Sequence, residues 1–238
     1  LKRRTGIDTL SPLHRIDRET AGVVVFSIRP QDRDAYQALF RQRQVDKLYQ
    51  AIAPAAPEGF LLQGHVRRSR IEEDPTGFFR MREVPGEPNS ETRITELERQ
   101  GGWARLALEP VTGKRHQLRV HMAALGLPLV GDQFYPKVRR GPDEPEDFAD
   151  PLRLLAQAIA FTDPLTGQPR RFESRRALDW PAGVSGNRSD RSRRRSSRLP
   201  DRLGARHRLT FLLGGAIESE HLAEHQLHPG RIGVGRAL

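Results

Sequence analysis

The segment at residues 14–22, HRIDRETAG, places a histidine, two arginines and two carboxylic acids directly before an apolar run. A loop of solvated charges is the ordinary interpretation of such a segment. Asp17, however, lies between Arg15 and Arg18, and a carboxylate held by guanidinium groups stays ionised near neutral pH. An ionised carboxylate can act as a nucleophile or as a general base. On these residues alone, the solvated loop is the favoured interpretation and a catalytic carboxylate is the alternative.

A second group of hydrogen-bond donors lies in GKRHQLRVH, at residues 113–121. This pattern predicts a helix over 115–125 that ends at Gly126. Arg115 and Arg119 would then be four residues apart and share one face. Paired guanidinium groups suit a phosphate or a carboxylate. An amphipathic surface helix fits the same residues equally well.

A third group is formed by Lys47, Leu48 and Tyr49, which begin a stretch of alternating polar and apolar residues. Such alternation is typical of a strand. A tyrosine on a strand is more often a packing residue than a catalytic one.

Neither a metal nor a nucleotide cofactor is predicted. Within the first 180 residues the histidines are His14, His65, His116 and His121. The last two are five residues apart, which is a poor spacing for shared ligation from one helix face, and no HExxH motif occurs. The chain has no cysteine, which excludes disulfides and thiolate metal sites. Neither GxxxxGK[ST] nor GxGxxG occurs, so no phosphate-cradling loop of those types is present.

The surrounding pattern predicts the elements that hold these groups in place. Residues 31–42 follow Pro30 with apolar side chains at helical spacing and predict a helix. Residues 64–81 are basic and lack a period, so they predict an irregular segment. Apolar or alternating stretches predict strands at residues 21–28, 47–53, 92–98, 104–109 and 170–173. The third and fourth of these would form an antiparallel pair joined through Gly101 and Gly102.

The charge of the chain is concentrated near its end. The 238 residues carry a formal net charge of +10, of which residues 181–238 contribute +6 and residues 1–180 only +4. A basic surplus suits a polyanion such as nucleic acid. Residues 185–198, SGNRSDRSRRRSSR, hold no large apolar side chain, which predicts disorder. We therefore expect one domain over 1–180 and a basic low-complexity tail over 181–238, disordered or derived from a frameshift. A native tail that grips RNA is the alternative.

Membrane association is not expected, because no stretch approaches the roughly 18 apolar residues of a membrane helix. No signal peptide is visible either. A cytoplasmic monomer is the default expectation.

Taken together and in this order, the three groups resemble the RluA/RsuA-type RNA pseudouridine synthases, and the RluA branch in particular. HRIDRETAG is similar to that family's HRLDxxTSG motif, and KLYQAIA is similar to its K-x-Y strand. GKRHQLRVHMAALGLPLVGDQFY, at residues 113–135, resembles GRxHQIRVHxxxxGxPIxGDxxY, which is long enough to be specific. The resemblance spans about residues 14–172 and leaves the tail outside it.

The resemblance implies an α+β fold: a mixed, largely antiparallel sheet flanked by helices, whose first strands are missing from this chain. It implies an enzyme that isomerises uridines in ribosomal or transfer RNA without a metal or cofactor, after flipping the target base out of the RNA. Asp17 corresponds to the catalytic aspartate. Tyr49 corresponds to a tyrosine that packs on the target base and has been assigned a proton-abstracting role. Arg119 corresponds to the arginine that pairs with the aspartate.

Further residues are expected to contact RNA. Arg15 corresponds to an arginine that holds the RNA and the flipped nucleotide, and four others lie within the motifs. Arg67 and Arg68 lie in the basic segment 64–81, for which a plain exposed basic loop is the equal alternative. The expected RNA-contacting set is Arg15, Arg18, Arg67, Arg68, Arg115, His116 and Gln117. The chain departs from the family where LLLHA is replaced by LLAQA, with Gln157 in the place of a histidine taken as structural. A non-catalytic RNA-binding protein that keeps the fold is the alternative function.

Overall fold

A computed structural model describes residues 1–77, 79–141, 144 and 149–184, together with the backbone of Ile232–Arg236. Three α-helices lie in this part of the chain: α1 Lys2–Thr5, α2 Arg33–Arg41 and α3 Gln117–Ala124. The strands are β1 Ser11–Pro12, β2 Ala21–Ser27, β3 Asp46–Pro54, β4 His65–Glu73, β5 Met81–Val84, β6 Ser90–Gln100, β7 Trp103–Pro110, β8 Leu154–Thr162, β9 Pro169–Glu173 and β10 Ile232–Arg236.

These strands form one sheet in the order β1-β2-β8-β3-β7-β6-β4-β5, with β9 paired to β8 and β10 paired to β2. Strands β2 and β8 are parallel. The other pairings described are antiparallel. The expected mixed, largely antiparallel sheet is therefore confirmed, and so is the β6–β7 pair, whose turn is Gly101-Gly102.

Helix α3 packs over the central strands through its apolar face. Leu118 and Met122 are buried against side chains from β3, β6, β7 and β8. Their partners on these strands are Ala51, Ala53, Ile94, Ala104, Leu106, Leu108 and Leu154. This packing fixes the rotation of α3, and therefore the direction in which its polar residues point.

Helix α2 packs on the other end of the sheet, where Tyr36 and Leu39 join Val23 and Val25 of β2 in a second apolar cluster. The hydroxyl group of Tyr36 is buried and donates to the carboxylate of Asp163 at 3.0 Å. A buried hydroxyl group needs such a partner, so this bond ties α2 to the turn between β8 and β9.

The segment after β9 covers part of the sheet. Leu178 packs on Ile52 and Leu155. The guanidinium group of Arg105 lies 4.8 Å from the ring centroid of Trp180 and donates to the carbonyl oxygen of Leu178 at 3.3 Å. The predicted domain boundary near residue 180 stays a prediction. Of the predicted tail, residues 185–231 and 237–238 lie outside the described part of the chain, while β10 runs along β2.

Two sequence-based expectations are wrong. Residues 64–81 are not irregular, since they contain β4 and lead into β5. The sequence does not show β4 as a strand, because charged residues replace the usual apolar alternation. Arg68, for example, lies directly opposite Glu91 on β6 and forms an ion pair with it at 2.8 Å. Helix α3 begins at Gln117, after His116 in a left-handed conformation with φ 53°. The shared helix face expected for Arg115 and Arg119 therefore does not exist.

Candidate active site

The loop that carries Asp17 runs from β1 to β2 and is tied to β2 at Val25. The carbonyl oxygen of Val25 accepts from the N–H group of Leu13 at 2.9 Å. The N–H group of Val25 donates to Nε2 of His14 at 3.0 Å, and the His14 ring stacks on Phe40 at 5.0 Å. Burial lowers the pKa of His14 to about 4, which keeps the ring neutral and able to accept. The first residue of the HRID motif thus anchors the loop.

Gly22 allows β2 to approach β8 closely. Its φ is +121°, and a Cβ atom there would lie 2.3 Å from the carbonyl oxygen of Ala156. No side chain fits at that distance, so glycine is required where the two parallel strands meet. Asp17 is held just before this contact by a turn in which its carbonyl oxygen accepts from the N–H group of Thr20 at 3.0 Å.

Arg119 is fully buried, and three carboxylates surround its guanidinium group. Nε and Nη2 donate to the two oxygens of Asp132 at 2.8 and 2.7 Å, which is a bidentate pair. Nη1 donates to Glu19 at 3.2 Å and lies 4.0 Å from Oδ2 of Asp17. The contact with Asp17 is therefore the longest of the three, and Asp132 is the residue that sets the orientation of Arg119.

The electrostatic environment of Asp17 contains opposing effects. Burial raises the pKa of Asp17, and the negative charge of Glu19 adds to this rise. The guanidinium groups of Arg119 and Arg15 oppose it. The net direction is upward, opposite to the direction that the arginines alone would produce.

Tyr49 lies on β3 at an irregularity in the sheet. The pairing of β3 with β8 shifts between Leu48 and Tyr49, which leaves Gln157 as an extra residue on β8. Bulges of this kind redirect side chains and are frequent beside active sites. Gln157 donates to the carbonyl oxygen of Ser174 at 3.0 Å. Burial and the nearby charge of Asp17 raise the pKa of Tyr49 above the usual value of a phenol, so its hydroxyl group keeps its proton.

Asp17 and Tyr49 line the same cleft, which has a volume of about 420 Å³. Pockets that bind small molecules have volumes of roughly 300–1,000 Å³, so a nucleoside-sized group fits this range. Six cationic side chains line the cleft: Arg15, Arg41, Arg43, Lys47, Lys114 and Arg115. Asp17 is the one carboxylate among the lining residues of the described chain. The lining of the cleft therefore combines one carboxylate with six cationic side chains.

Lys47 and Arg115 connect the cleft to the elements around it. Nζ of Lys47 donates to the carbonyl oxygen of Thr112 at 3.1 Å, and burial lowers the pKa of Lys47. Arg115 forms an ion pair with Glu73 of β4 at 3.3 Å. The loop before α3 is thus attached to β3 on one side and to the β4–β5 hairpin on the other.

Gln117 and His116 also line the cleft, and both have protein partners. The amide group of Gln117 donates to Thr92 at 3.0 Å and accepts from Thr112 at 2.7 Å, which holds the loop before α3 in place. His121 on the same helix contacts the Thr92 hydroxyl group at 2.9 Å. Nδ1 of His116 lies 2.9 Å from the hydroxyl oxygen of Tyr135.

The other three residues of the expected RNA-contacting set lie outside the lining of the cleft. Arg18 is exposed in the turn after Asp17. Arg67 and Arg68 lie on β4, where Arg67 pairs with Glu83 and Arg68 pairs with Glu91. The structure thus brings Asp17, Tyr49 and four of the seven expected RNA-contacting residues to one cleft, with Arg119 behind it.

Two further features of the described residues bear on the class of protein. They include no group of three or more His, Cys, Asp or Glu side chains placed to hold a metal ion. None of the described helices is both long enough and apolar enough to span a membrane.

Sequence reasoning missed Glu19 and Asp132 as partners of Arg119. Asp132 lies in GDQFY, inside the same long motif as Arg119. Because a buried arginine needs a carboxylate partner, an acid in this motif was a signal that could have identified it. Glu19 is two residues from Asp17 in a segment already marked by its charges. No feature of the sequence shows that Glu19, rather than Asp17, accepts the hydrogen bond.

Comparison with known proteins points to one family. A family model described as RNA pseudouridylate synthase matches residues 1–124. The dual-specificity RNA pseudouridine synthase RluA of Haemophilus influenzae is 34% identical over 168 residues, which cover 69% of this chain and 72% of that protein. The protein of the same name from Yersinia pestis is 30% identical over 176 residues, covering 69% and 77%.

Two solved human structures have a related fold. Human RNA Pseudouridylate Synthase Domain Containing 4 matches with a TM-score of 0.56 and 26% identity, over 75% of this chain and 76% of that one. Human RNA Pseudouridylate Synthase Domain Containing 1 matches with a TM-score of 0.58 and 23% identity, over 72% and 71%.

Proposed function

The chain belongs to the RNA pseudouridylate synthase family, and from that premise we propose that it converts specific uridines of ribosomal or transfer RNA to pseudouridine, with Asp17 as the catalytic carboxylate. The reaction is an isomerisation. The bond between N1 of uracil and C1′ of the ribose breaks, the base rotates, and C5 bonds to C1′. A proton leaves C5 and N1 gains one, so no atom, redox step or energy source is added.

The observation that carries this proposal is the convergence of three elements on one cleft. Asp17 comes from the loop before β2, Tyr49 from β3, and Arg119 from α3. Asp17 and Tyr49 face the same cavity, and Arg119 contacts Asp17 from the protein side at 4.0 Å. A carboxylate placed between a nucleoside-sized cavity and a buried guanidinium group is suited to act on the ribose.

Asp17 acts at the sugar of the target nucleotide, either by attacking C1′ or by removing a proton beside it. Both roles need the ionised carboxylate. Arg119 favours that form and orients it, while Asp132 holds Arg119. Preorganisation of this kind is what an active site requires from the residues behind the reacting group.

Tyr49 serves as the surface on which the target base stacks. A uracil inside folded RNA is out of reach of a buried carboxylate, so the nucleotide must leave its stack, as for other enzymes that act on bases. The raised pKa of Tyr49 keeps the phenol neutral. A neutral aromatic ring is well suited to stacking on a base.

The RNA strand on either side of the flipped nucleotide is held by the cations around the cleft. Arg15, Arg43, Lys114 and Arg115 line the cleft, and we assign the contacts with the RNA backbone to them. Contacts to phosphates position the RNA and carry no sequence information. The choice of uridine therefore rests on the shape of the RNA and on contacts to the base.

The test is to incubate the protein with total RNA that lacks pseudouridine and to map new pseudouridines by carbodiimide-dependent stops of reverse transcription. We expect at least one stop with the wild-type protein and none with Asp17→Asn. A matched control is Asp8→Asn, because Asp8 is exposed in the segment after α1 and does not line the cleft. Loss of the stop in both variants, or its presence in both, would contradict the assignment of Asp17.

A further inference from the structure

A chain of hydrogen bonds runs from the β4–β5 hairpin to the cleft through Tyr135. The backbone N–H group of Met81 donates to the hydroxyl oxygen of Tyr135 at 2.8 Å. The same oxygen lies 2.9 Å from Nδ1 of His116. Tyr135 is 3% exposed, so bulk water does not compete for its hydroxyl group. Because a backbone N–H group can only donate, the hydroxyl oxygen accepts from Met81 and its own proton is left for His116.

This geometry fixes which nitrogen of His116 carries the proton. In the described part of the chain, Met81 and His116 are the two hydrogen-bond partners of the Tyr135 hydroxyl group. A proton on Nδ1 would leave a buried O–H group without an acceptor, which is unfavourable. Nδ1 is therefore the acceptor, and in a neutral imidazole the proton lies on Nε2.

The His116 ring is held on one face and one edge. It lies parallel to the Phe134 ring, with centroids 6.5 Å apart and an interplanar angle of 7°, and it meets Tyr135 edge-on at 5.6 Å. His116 also lines the cleft, whereas Tyr135 and Phe134 do not. Nε2 lies on the other side of Cε1 from Nδ1, and no described residue is hydrogen-bonded to it, so Nε2–H is the group that the ring has left for a ligand.

The charge of the ring agrees with this role. Burial lowers the pKa of His116 to about 4, and the positive charges of Arg119 and Arg115 contribute to the same direction. The imidazole is therefore neutral at physiological pH. The cations that line the cleft suit phosphates, while a neutral N–H group suits a neutral oxygen.

We propose that His116 donates a hydrogen bond from Nε2–H to a carbonyl oxygen of the target uracil, and that Tyr135 fixes the tautomer that makes this possible. The inference rests on the proposed function, because it takes a flipped uridine as the ligand of the cleft. His116 would then contact the base, and Tyr135 and the Met81 N–H group would be positioning groups. If the oxygen is the one on C4, the contact also discriminates against cytosine, which carries an amino donor there.

The tautomer can be measured without RNA. In protein labelled with ¹⁵N-histidine, we expect the spectrum of His116 to show an unprotonated Nδ1 and a protonated Nε2 at neutral pH. Tyr135→Phe removes the hydroxyl group, keeps the ring, and should give a mixture of the two tautomers. A proton on Nδ1 or an imidazolium ion in the wild-type protein would overturn the proposal.

The contact with uracil is tested by replacing single oxygens of the target base with sulfur, a weaker acceptor. Binding is measured in the Asp17→Asn background, where turnover is expected to be at least about a hundredfold slower. We expect either 2-thiouridine or 4-thiouridine to lower the RNA affinity roughly three- to tenfold. Adding His116→Asn should abolish that penalty, and asparagine is chosen because it tolerates the positive φ at this position.

The proposal fails if neither thio substitution lowers affinity, or if the penalty is unchanged by His116→Asn. Tyr135→Phe provides a second route if His116→Asn does not fold, since it should reduce the same penalty in part. The proposal would also be overturned if Tyr135→Phe kept the full loss of affinity on thio substitution and left the tautomer of His116 unchanged. A wild-type protein with the Nε2–H tautomer that forms no pseudouridine would contradict the proposed function, while supporting the hydrogen-bond chain from Met81 to His116.

Discussion

Helix α3 and the β4–β5 hairpin both carry arginines that the sequence marks as functional, but they hold them in different ways. Arg119 on α3 is fully buried and donates to two carboxylates, one of them in a bidentate pair. Arg67 and Arg68 on β4 have side-chain exposures of 31% and 60% and each pairs with a glutamate on a neighbouring strand. A buried pair is costly to break, whereas an exposed pair, such as that of Arg68 and Glu91, can exchange its partner for a phosphate at little cost. The pair of Arg67 and Glu83 is intermediate, because it is partly buried.

This difference indicates two roles for the same residue type. We expect the arginine of α3 to order the active site without holding RNA directly. We expect the arginines of the hairpin to contribute less to stability and to be available to a polyanion. The hairpin also touches the site itself, because Arg115 pairs with Glu73 and Tyr135 accepts from Met81.

The largest effect is expected from Arg119→Gln. The variant leaves the carboxylate of Asp132, which is 1% exposed, without its bidentate partner. The free energy of unfolding should fall by about 3–5 kcal/mol. Urea denaturation measures this free energy. The control is Arg68→Gln, which breaks an exposed ion pair and should lower the free energy of unfolding by no more than about 1 kcal/mol. Equal losses in the two variants would remove the distinction between the two regions.

The hairpin arginines should affect RNA binding more than stability. In the double variant Arg67→Gln/Arg68→Gln, we expect the slope of log affinity against log salt concentration to fall by roughly 0.7–0.9 for each RNA phosphate that the variant no longer neutralises. Affinity is measured at several salt concentrations. Arg4→Gln, an exposed change on α1, is the control. A slope equal to that of the wild type would exclude Arg67 and Arg68 from the RNA-contacting set.

A smaller effect is expected from Glu19→Gln on the pH profile. The negative charge of Glu19 raises the pKa of Asp17. Its removal lowers that pKa, so the ionised carboxylate persists to lower pH. Because the reaction needs the ionised form, the fall of kcat/KM on the acid side should move to lower pH in the variant. Single-turnover rates across the acid range measure this, and a shift to higher pH would contradict the electrostatic account of Asp17.

The smallest effect is expected from ending the chain after Val184. This deletion removes most of the basic surplus, and it also removes β10 from the edge of β2. If the cleft and the hairpin provide the RNA contacts, pseudouridine formation should be unchanged. Stops of reverse transcription measure it, and circular dichroism shows whether the shortened chain is folded. If the shortened chain is folded but inactive, the tail rather than the cleft and the hairpin provides the essential RNA contacts.

The sequence predicted the fold class, five of the strands (β2, β3, β6, β7 and β9) and the motifs that meet at the cleft. Periodic patterns report burial, which is why the apolar run of β2 and the alternating strands β6 and β7 were found. Strand β4 was missed because several of its side chains are charged and form ion pairs with neighbouring strands. Arg68, for example, lies opposite Glu91 on β6. A periodic pattern of apolar residues does not reveal such cross-strand pairs. The start of α3 was misplaced because nothing in GKRHQ shows that His116 adopts a positive φ.

The site was less predictable than the fold. Asp17 was marked by its position between two arginines, and Arg119 by its motif. The contacts of Arg119 with Asp132 and Glu19 join residues that are 13 and 100 positions apart. Such partners depend on how α3 packs on the sheet. The tautomer of His116 likewise depends on the N–H group of Met81, which sequence spacing does not reveal.

The most direct test of the account is to separate catalysis from binding in Asp17→Asn. Single-turnover rates and RNA affinity are measured on the same mapped RNA for the wild type, Asp17→Asn and the control Asp8→Asn. We expect Asp17→Asn to lower the rate by at least about a hundredfold, while its RNA affinity stays close to that of the wild type. A rate comparable to that of Asp8→Asn would contradict the claim that Asp17 is the catalytic carboxylate.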